Sequence, residues 1–300
     1  MAGPRSRNVR RRLFQSPLSV MGLSIVCVLI VVGGLAPYVA PSDPQEMYFE
    51  AVYHPPSKEF LLGTDGLGRD LLSRIIWGAR TSLLVGSGAT ALALAIGVVL
   101  GELAGFYGGA ISQVFMRLAD VQLCIPQLIL LIVIAAVVGQ RSLGLMIVII
   151  GIGMWPRIAR VTRSKVLSLR SQEFVEAARA MGASSVRILF RHILPNSVGP
   201  IVVLATLDIG GAIISETSLS FLGLGDPRAV SWGNILSSGL KDMVYAPWIT
   251  IFPGIAIFLT VCLLYTSDAA DEGLGVDLGG RRIIKKKKLN ILMEELRAIH

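Results

Sequence analysis

Charge is scarce in this sequence. Asp, Glu, Lys and Arg make up 16% of its 300 residues, against about 25% in an average soluble domain. A water-soluble fold would have to display large apolar patches to hold 53% hydrophobic residues. The deficit therefore excludes an ordinary soluble globule and points to a lipid-facing surface, and the mean hydropathy of +0.67 agrees. Acid is the scarcer sign, which leaves a net charge of +8. Such an excess can signal nucleic acid, but here the bases sit at the ends of apolar runs, where membrane proteins carry them. Nucleic acid is thus not an expected partner. Cysteine is limited to Cys27, Cys124 and Cys262, each inside an apolar run. That excludes a disulfide framework or a zinc spacing and leaves them as small apolar packing residues. His54, His192 and His300 have no metal-ligand spacing. No G-x-x-x-x-G-K-[ST] run occurs, so the chain has no phosphate loop of its own, and no Ser, His and acid set suggests a hydrolase. The expectation is a non-catalytic chain without a cofactor.

Long apolar runs are what the sequence does have. A helix needs about 20 apolar residues to cross the hydrocarbon core, where no water satisfies the backbone. Six runs qualify: Leu18 to Ala40, Ser82 to Phe106, Val121 to Gly139, Leu143 to Val161, Ser197 to Leu222 and Trp248 to Tyr265. They predict an all-α, polytopic fold of six transmembrane helices. The first run is too long for a signal-peptide core and lacks a small-x-small cleavage site, so it reads as a retained anchor.

Residues 1–17 hold Arg5, Arg7, Arg10, Arg11 and Arg12 and no acid, and residues 157–195 hold eight bases against two acids. With Arg117 this side totals fourteen bases, against seven in 41–80, 140–142 and 223–247. The positive-inside rule then puts both termini and the 163–195 loop in the cytoplasm, and 41–81 outside. The second run carries Gly97, Gly101 and Gly105, a small-xxx-small row that lets helix backbones approach closely.

The loop after the fourth run has internal order. Ser171 is placed to cap a helix whose first turn holds Glu173. Phe174, Ala177, Ala178 and Met181 fall at helical spacing and predict one apolar face. Gly182 reads as a left-handed stop. Ser184 or Ser185 can cap a second helix with Val186, Leu189, Phe190 and Ile193 on one face, ended at Pro195. Two amphipathic helices must bury their stripes, either on the membrane interface and the protein's own underside or in a groove of a partner.

Glu176-Ala177-Ala178, then Gly182, then Leu194-Pro195 twelve and thirteen residues later, resembles the EAA loop of bacterial ABC importer permeases. The family usually carries Ile ten residues after the glycine; His192 stands there, with Ile193 next. Leu62-Gly63-Thr64-Asp65-Gly66-Leu67-Gly68-Arg69-Asp70, the Gly78-Ala79-Arg80-Thr81-Ser82-Leu83 stretch, and Leu219 to Gly225 with Ser231-Trp232-Gly233 resemble signatures of the dipeptide, oligopeptide and nickel branch. The Arg-rich N-terminus with its first run is similar to the subunit type that has an N-terminal anchor. The resemblance implies a type I importer bundle in the bacterial inner membrane. It further implies that Glu176, Ala177, Ala178, Gly182, Leu194 and Pro195 couple to a cytoplasmic ATPase subunit that binds the ATP. A related second permease subunit and a periplasmic or lipid-anchored substrate-binding protein complete the implied assembly. The division is then a basic N-terminus (1–17), an anchor (18–40), a periplasmic segment (41–81), a permease domain (82–265) and a tail (266–300).

Ionisable groups within the runs are costly, about 2.5–3.5 kcal/mol each at the bilayer centre on insertion scales. Asp208 and Glu216 lie eight residues apart in the fifth run and can share a helix face. They are candidates to line a translocation pathway and attract a peptide's amino group, or else to bond between helices. Glu102, near the end of the second run, reads as packing or snorkelling. The Thr64 to Asp70 stretch has turn chemistry and reads either as a solvated turn or as a surface that orders the pore mouth. An ion-gradient-driven transporter with Asp208 or Glu216 as the proton site is the alternative function. From residue 262 the resemblance stops. Asp268-Ala269-Ala270-Asp271-Glu272 and Lys285 to Lys288 resemble translated adapter sequence, so 262–300 is expected to be non-native, the other reading being a divergent tail whose lysines meet anionic lipid.

Overall fold

The computed structural model describes residue 31 and residues 33–275. The basic N-terminus, nearly all of the first run and residues 276–300 lie outside the described residues. The elements are α1 (Ala36–Val39), α2 (Leu71–Tyr107), α3 (Gly109–Cys124), α4 (Gln127–Val138), α5 (Leu143–Arg170), α6 (Glu173–Ala180), α7 (Ser185–Ile188), a π turn (Leu189–Ile193), α8 (Leu194–Phe221), α9 (Trp232–Gly239) and α10 (Trp248–Gly275). Among the described residues no β-strand forms, and the fold is all-α as expected.

Among the described residues, three helices are long and apolar enough to cross a membrane: α2, α5 and the stretch Ser185–Phe221. The shorter apolar stretch Trp248–Cys262 lies at the start of α10. The third expected span is different in form. Its residues belong to α3 and α4, which meet at an angle of 92°. Pro126 at the start of α4 explains the break, because it disfavours helix at Ile125, whose backbone is extended (φ −91°, ψ 126°). Gln122 pins the corner. Its Nε2 donates to the carbonyls of Ile152 (2.8 Å) and Gly153 (3.1 Å), and its Oε1 accepts from Trp155 Nε1 (3.0 Å). The Ile152 carbonyl needs such a donor because Pro156, four residues on within α5, has no N–H to offer it.

The bundle is built on the pairing of α2 with α5, and α8 packs on both. The glycine row makes that pairing possible. A Cβ on Gly97, Gly101 or Gly105 would lie 2.7 Å from Ile158 Cβ, 2.6 Å from the Ala159 carbonyl and 2.7 Å from Val166 Cβ, respectively. The core between these helices gathers Val85, Ala89, Ala93, Met146, Ile150, Ile158, Leu204 and Ala212, with Leu131 from α4. A second core joins Leu71 and Ala79 to Ile213, Trp232, Ile235 and Ile249 where α9 and α10 pack.

Several boundaries move. Helix α2 begins at Leu71, so the expected division at 81/82 falls inside it. Helix α5 runs to Arg170 rather than ending at Val161, and at 28 residues it is about 42 Å long, more than the hydrocarbon core requires. Cys124 and Cys262 are exposed rather than packed. Helix α10 runs through residue 262 without a break.

Candidate functional site

At one end of the bundle, α6, α7 and the π turn form the paired short helices. Ser171 does not cap α6. Its hydroxyl donates back to the Ser168 carbonyl (3.4 Å), and Gln172 is the N-cap residue, without a side-chain cap bond. Glu173 and Glu176 do occupy the first turn. Gly182 has φ +79°, the left-handed stop that a side chain would strain. The Ala183 N–H then returns to the Ala178 carbonyl (3.0 Å). Ser184 caps α7 by accepting from the Arg187 N–H (3.4 Å). Pro195 does not end the second helix. Leu194 is helical, and the chain widens into the π turn over Leu189–Ile193 before α8 continues from Leu194. A wider turn removes the clash between the Pro195 ring and the preceding turn, and proline's missing N–H costs least at the first positions of a new helix. The loop is thereby joined to α8 as one continuous rod.

Each short helix has two apolar faces, not one. Val175, Ala178, Ile188, Leu189 and Ile193 are buried against Phe106, Val166 and Leu169 at the ends of α2 and α5. The other face is uncovered among the described residues: Met181 is 82% exposed, and Phe174, Val186 and Phe190 are exposed with it. The expected single stripes therefore divide, because Ala178, Leu189 and Ile193 point inward while Phe174, Ala177, Met181, Val186 and Phe190 point outward. Glu176, Gly182 and Pro195 are also exposed, and Leu194 is half-buried. A recess of about 440 Å³ between the helices is lined by Ala178, Met181, Ala183, Arg187, Arg191 and His192.

Polar groups inside the bundle are cross-linked. Glu216, fully buried, accepts from Ser82 Oγ at Oε2 (3.1 Å) and from Ser220 Oγ at Oε1 (2.7 Å), tying α8 to α2. Asp208 is 3% exposed, and its Oδ1 lies 3.2 Å from Nη2 of Arg157 on α5, whereas its Oδ2 meets no hydrogen-bond partner. The fold does not bring Asp208 and Glu216 together in one cluster; each has its own partner on a different helix. Glu102 is buried rather than snorkelling, with Oε1 unpaired. The sequence does not mark Arg157 as a site residue, because the fourth run ends shortly after it and its charge counts with the loop that follows. The available signal is Pro156 beside it within one continuous helical pattern. Arg160 on α5 pairs with Asp120 of α3.

At the opposite end, the Thr64 to Asp70 stretch is a buried hub, not a solvated turn. Asp65 Oδ1 accepts from the backbone N–H groups of Leu67 (2.9 Å) and Arg69 (3.0 Å), and its Oδ2 accepts from Arg69 Nε (2.8 Å). Asp70 caps α2 by accepting from the Ser73 N–H (2.8 Å). Trp248 Nε1 donates to the Thr64 carbonyl (3.1 Å), and Trp232 Nε1 donates to the Ile75 carbonyl (2.9 Å). The stretches around 62–83, 219–233 and 248 thus meet in one structure, which their separation in sequence does not disclose. Among the described residues, no group of His, Cys, Asp and Glu could hold a metal ion.

Comparison with known proteins agrees along most of the chain. The family model described as "Binding-protein-dependent transport system inner membrane component" matches residues 97–269, and that described as "N-terminal TM domain of oligopeptide transport permease C" matches residues 5–56. A dipeptide transport system permease protein of Alkalihalophilus pseudofirmus is 41% identical over 85% of this chain and 84% of its own length. An oligopeptide transport system permease protein of Bacillus subtilis is 39% identical over 83% and 82%, and a glutathione transport system permease protein of Escherichia coli is 42% identical over 84% and 83%. Among solved structures, the inward-facing MetNI methionine ABC transporter has a chain that superposes with a TM-score of 0.54 at 21% identity, covering 67% of this chain and 95% of that one. This last likeness is one of fold.

Proposed function

The chain belongs to the inner-membrane components of binding-protein-dependent transport systems, in the peptide-permease branch, and from that premise we propose that it forms half of the pore of an ATP-driven importer of peptides or similar small solutes. The family is a transport component of the membrane, and the chain is a multi-pass inner-membrane protein. In the proposed assembly a related second permease completes the pore. A cytoplasmic ATPase supplies the energy, and a substrate-binding protein outside delivers the cargo. The N-terminus and the paired short helices face the cytoplasm. The proposed division is a basic N-terminus (1–17), an anchor (18–40), an external segment (41–81), a permease domain (82–265) and a tail (266–300).

One observation carries the proposal: the paired short helices are seated on the bundle by one face and present a second apolar face that none of the described residues covers. Exposing large apolar side chains to water is costly, roughly 1.5–3 kcal/mol each at full burial difference, so a cytoplasmic partner is the natural cover. Glu176, Ala177, Gly182 and the outer face around Met181 would contact the ATPase. Ala178, Leu194 and Pro195 would transmit its closure through the continuous rod into α8. Arg157 supports a shared pore. It stands about 21 Å along a spanning helix yet is 57% exposed, and a cation at that depth must face water or protein rather than lipid. The proposed pathway therefore passes the Arg157–Asp208 pair, with Glu216 nearer the outer end.

The test is reconstitution with the proteins encoded beside the chain, comparing uptake driven by ATP with uptake driven by a proton gradient. ATP-dependent uptake is the expected result; uptake that ignores ATP and follows the proton gradient would favour an ion-coupled carrier using Asp208 or Glu216.

A further inference from the structure

At the end of the bundle opposite the paired short helices lies a recess of about 680 Å³, between the hub at 65–74 and the segment 220–241. Four cations line it, Arg69, Arg74, Arg228 and Lys241, and among the described residues no carboxylate does. Asp65 and Asp226, beside it, are already committed: Asp65 to Arg69 (2.7 Å), and Asp226 to Arg228 (3.5 Å). Arg74 is the unusual member. It is only 5% exposed, yet among the described residues its Nε meets no hydrogen-bond partner. Its remaining contacts are long: Nη1 lies 3.4 Å from the Pro44 carbonyl and 3.6 Å from Asp65 Oδ2. A buried guanidinium with an unused donor is costly to keep, and its planar fork matches a carboxylate.

We propose that this recess is a carboxylate-binding site, with Arg74 as its buried floor and Arg228 and Lys241 as its exposed rim. The donor of the carboxylate is either a small solute on its way to the pore or an acidic side chain of the substrate-binding protein. Only this choice of source rests on the transport reading; the site itself rests on the geometry.

The full-length chain, purified into lipid nanodiscs, is titrated with acetyl-alanyl-alanine and with its C-terminal amide. The acid is expected to bind about tenfold more tightly than the amide, as for a charge-assisted bond. Arg74→Gln should abolish that preference. Arg228→Gln, at a position 84% exposed and so harmless to folding, should shrink it. A second arm titrates the substrate-binding protein encoded beside the chain. If acid and amide bind alike, but Arg228→Gln and Arg74→Gln both weaken capture of that protein, its acidic face supplies the carboxylate. Indifference of both arms to both substitutions would overturn the site. Neither arm uses ATP, so a failure of the importer reading leaves the result interpretable.

Discussion

At the residue scale, Glu216 shows how an acid survives inside a bilayer protein. Two serines on two helices donate to its two oxygens, so removing the carboxylate strands both hydroxyls in a dry interior. Glu216→Leu should lower stability by about 1–3 kcal/mol, and Glu216→Gln, which keeps an acceptor, by less; thermal unfolding in detergent compares the two. The Arg157–Asp208 pair is half open, with the acid buried and the base exposed. Arg157→Leu leaves an unpaired buried carboxylate and should destabilise the chain more than the double change Arg157→Leu with Asp208→Leu, a reversal that a double-mutant cycle measures. The acids are visible in the sequence as exceptions within apolar runs. Their partners are not, because Ser82, Arg157 and Ser220 acquire meaning only when the helices pack.

At the element scale, close approach of α2 and α5 rests on missing side chains. Gly101→Leu would drive a side chain into the Ala159 backbone, and overpacking of this kind costs about 1–3 kcal/mol or more. Gly144 also lies on α5, but a Cβ there would meet nothing within 4 Å, so Gly144→Leu should be tolerated; yield of monodisperse protein and its melting temperature separate the two. Proline acts by position. Pro126 breaks a span, Pro156 is absorbed by Gln122, and Pro195 is absorbed by a π turn. The sequence pattern ends a helix at Pro195 and runs spans straight through Pro126 and Pro156; the outcome at each depends on whether a neighbour supplies the lost donor or the turn can widen. Gly182→Ala must hold φ near +79° at a cost of about 1–2 kcal/mol. It should depress ATP-driven uptake more than it lowers the melting temperature.

At the scale of the whole molecule, the two ends of the bundle carry different chemistry: a cationic recess over a buried hub at one, and an apolar, partly basic face on paired helices at the other. Energy would enter through the second and reach the interior through the rod formed by α7, the π turn and α8. A cysteine at Met181 should crosslink to an ATPase subunit in a transporting preparation, whereas one at Ala178, buried against the chain's own underside, should not. Failure at Met181 in active proteoliposomes would remove the coupling role of this face.

The solvent, the class of fold and the family are legible from the amino-acid sequence alone. These follow from one-dimensional quantities: charge density, run length, glycine and proline spacing, and motifs read in order along the chain. The sequence also marked the left-handed stop at Gly182 and the cap at Ser184, because both act within a few residues, whereas the expected cap at Ser171 gave way to Gln172. Tertiary structure alone decided which face of those helices is covered, that the 62–83 and 219–233 stretches meet, and which buried acid bonds to which base or hydroxyl. Those depend on contacts between residues far apart in sequence, such as Ser82 with Glu216 or Trp248 with Thr64, and periodicity along a single helix carries no information about what lies opposite it.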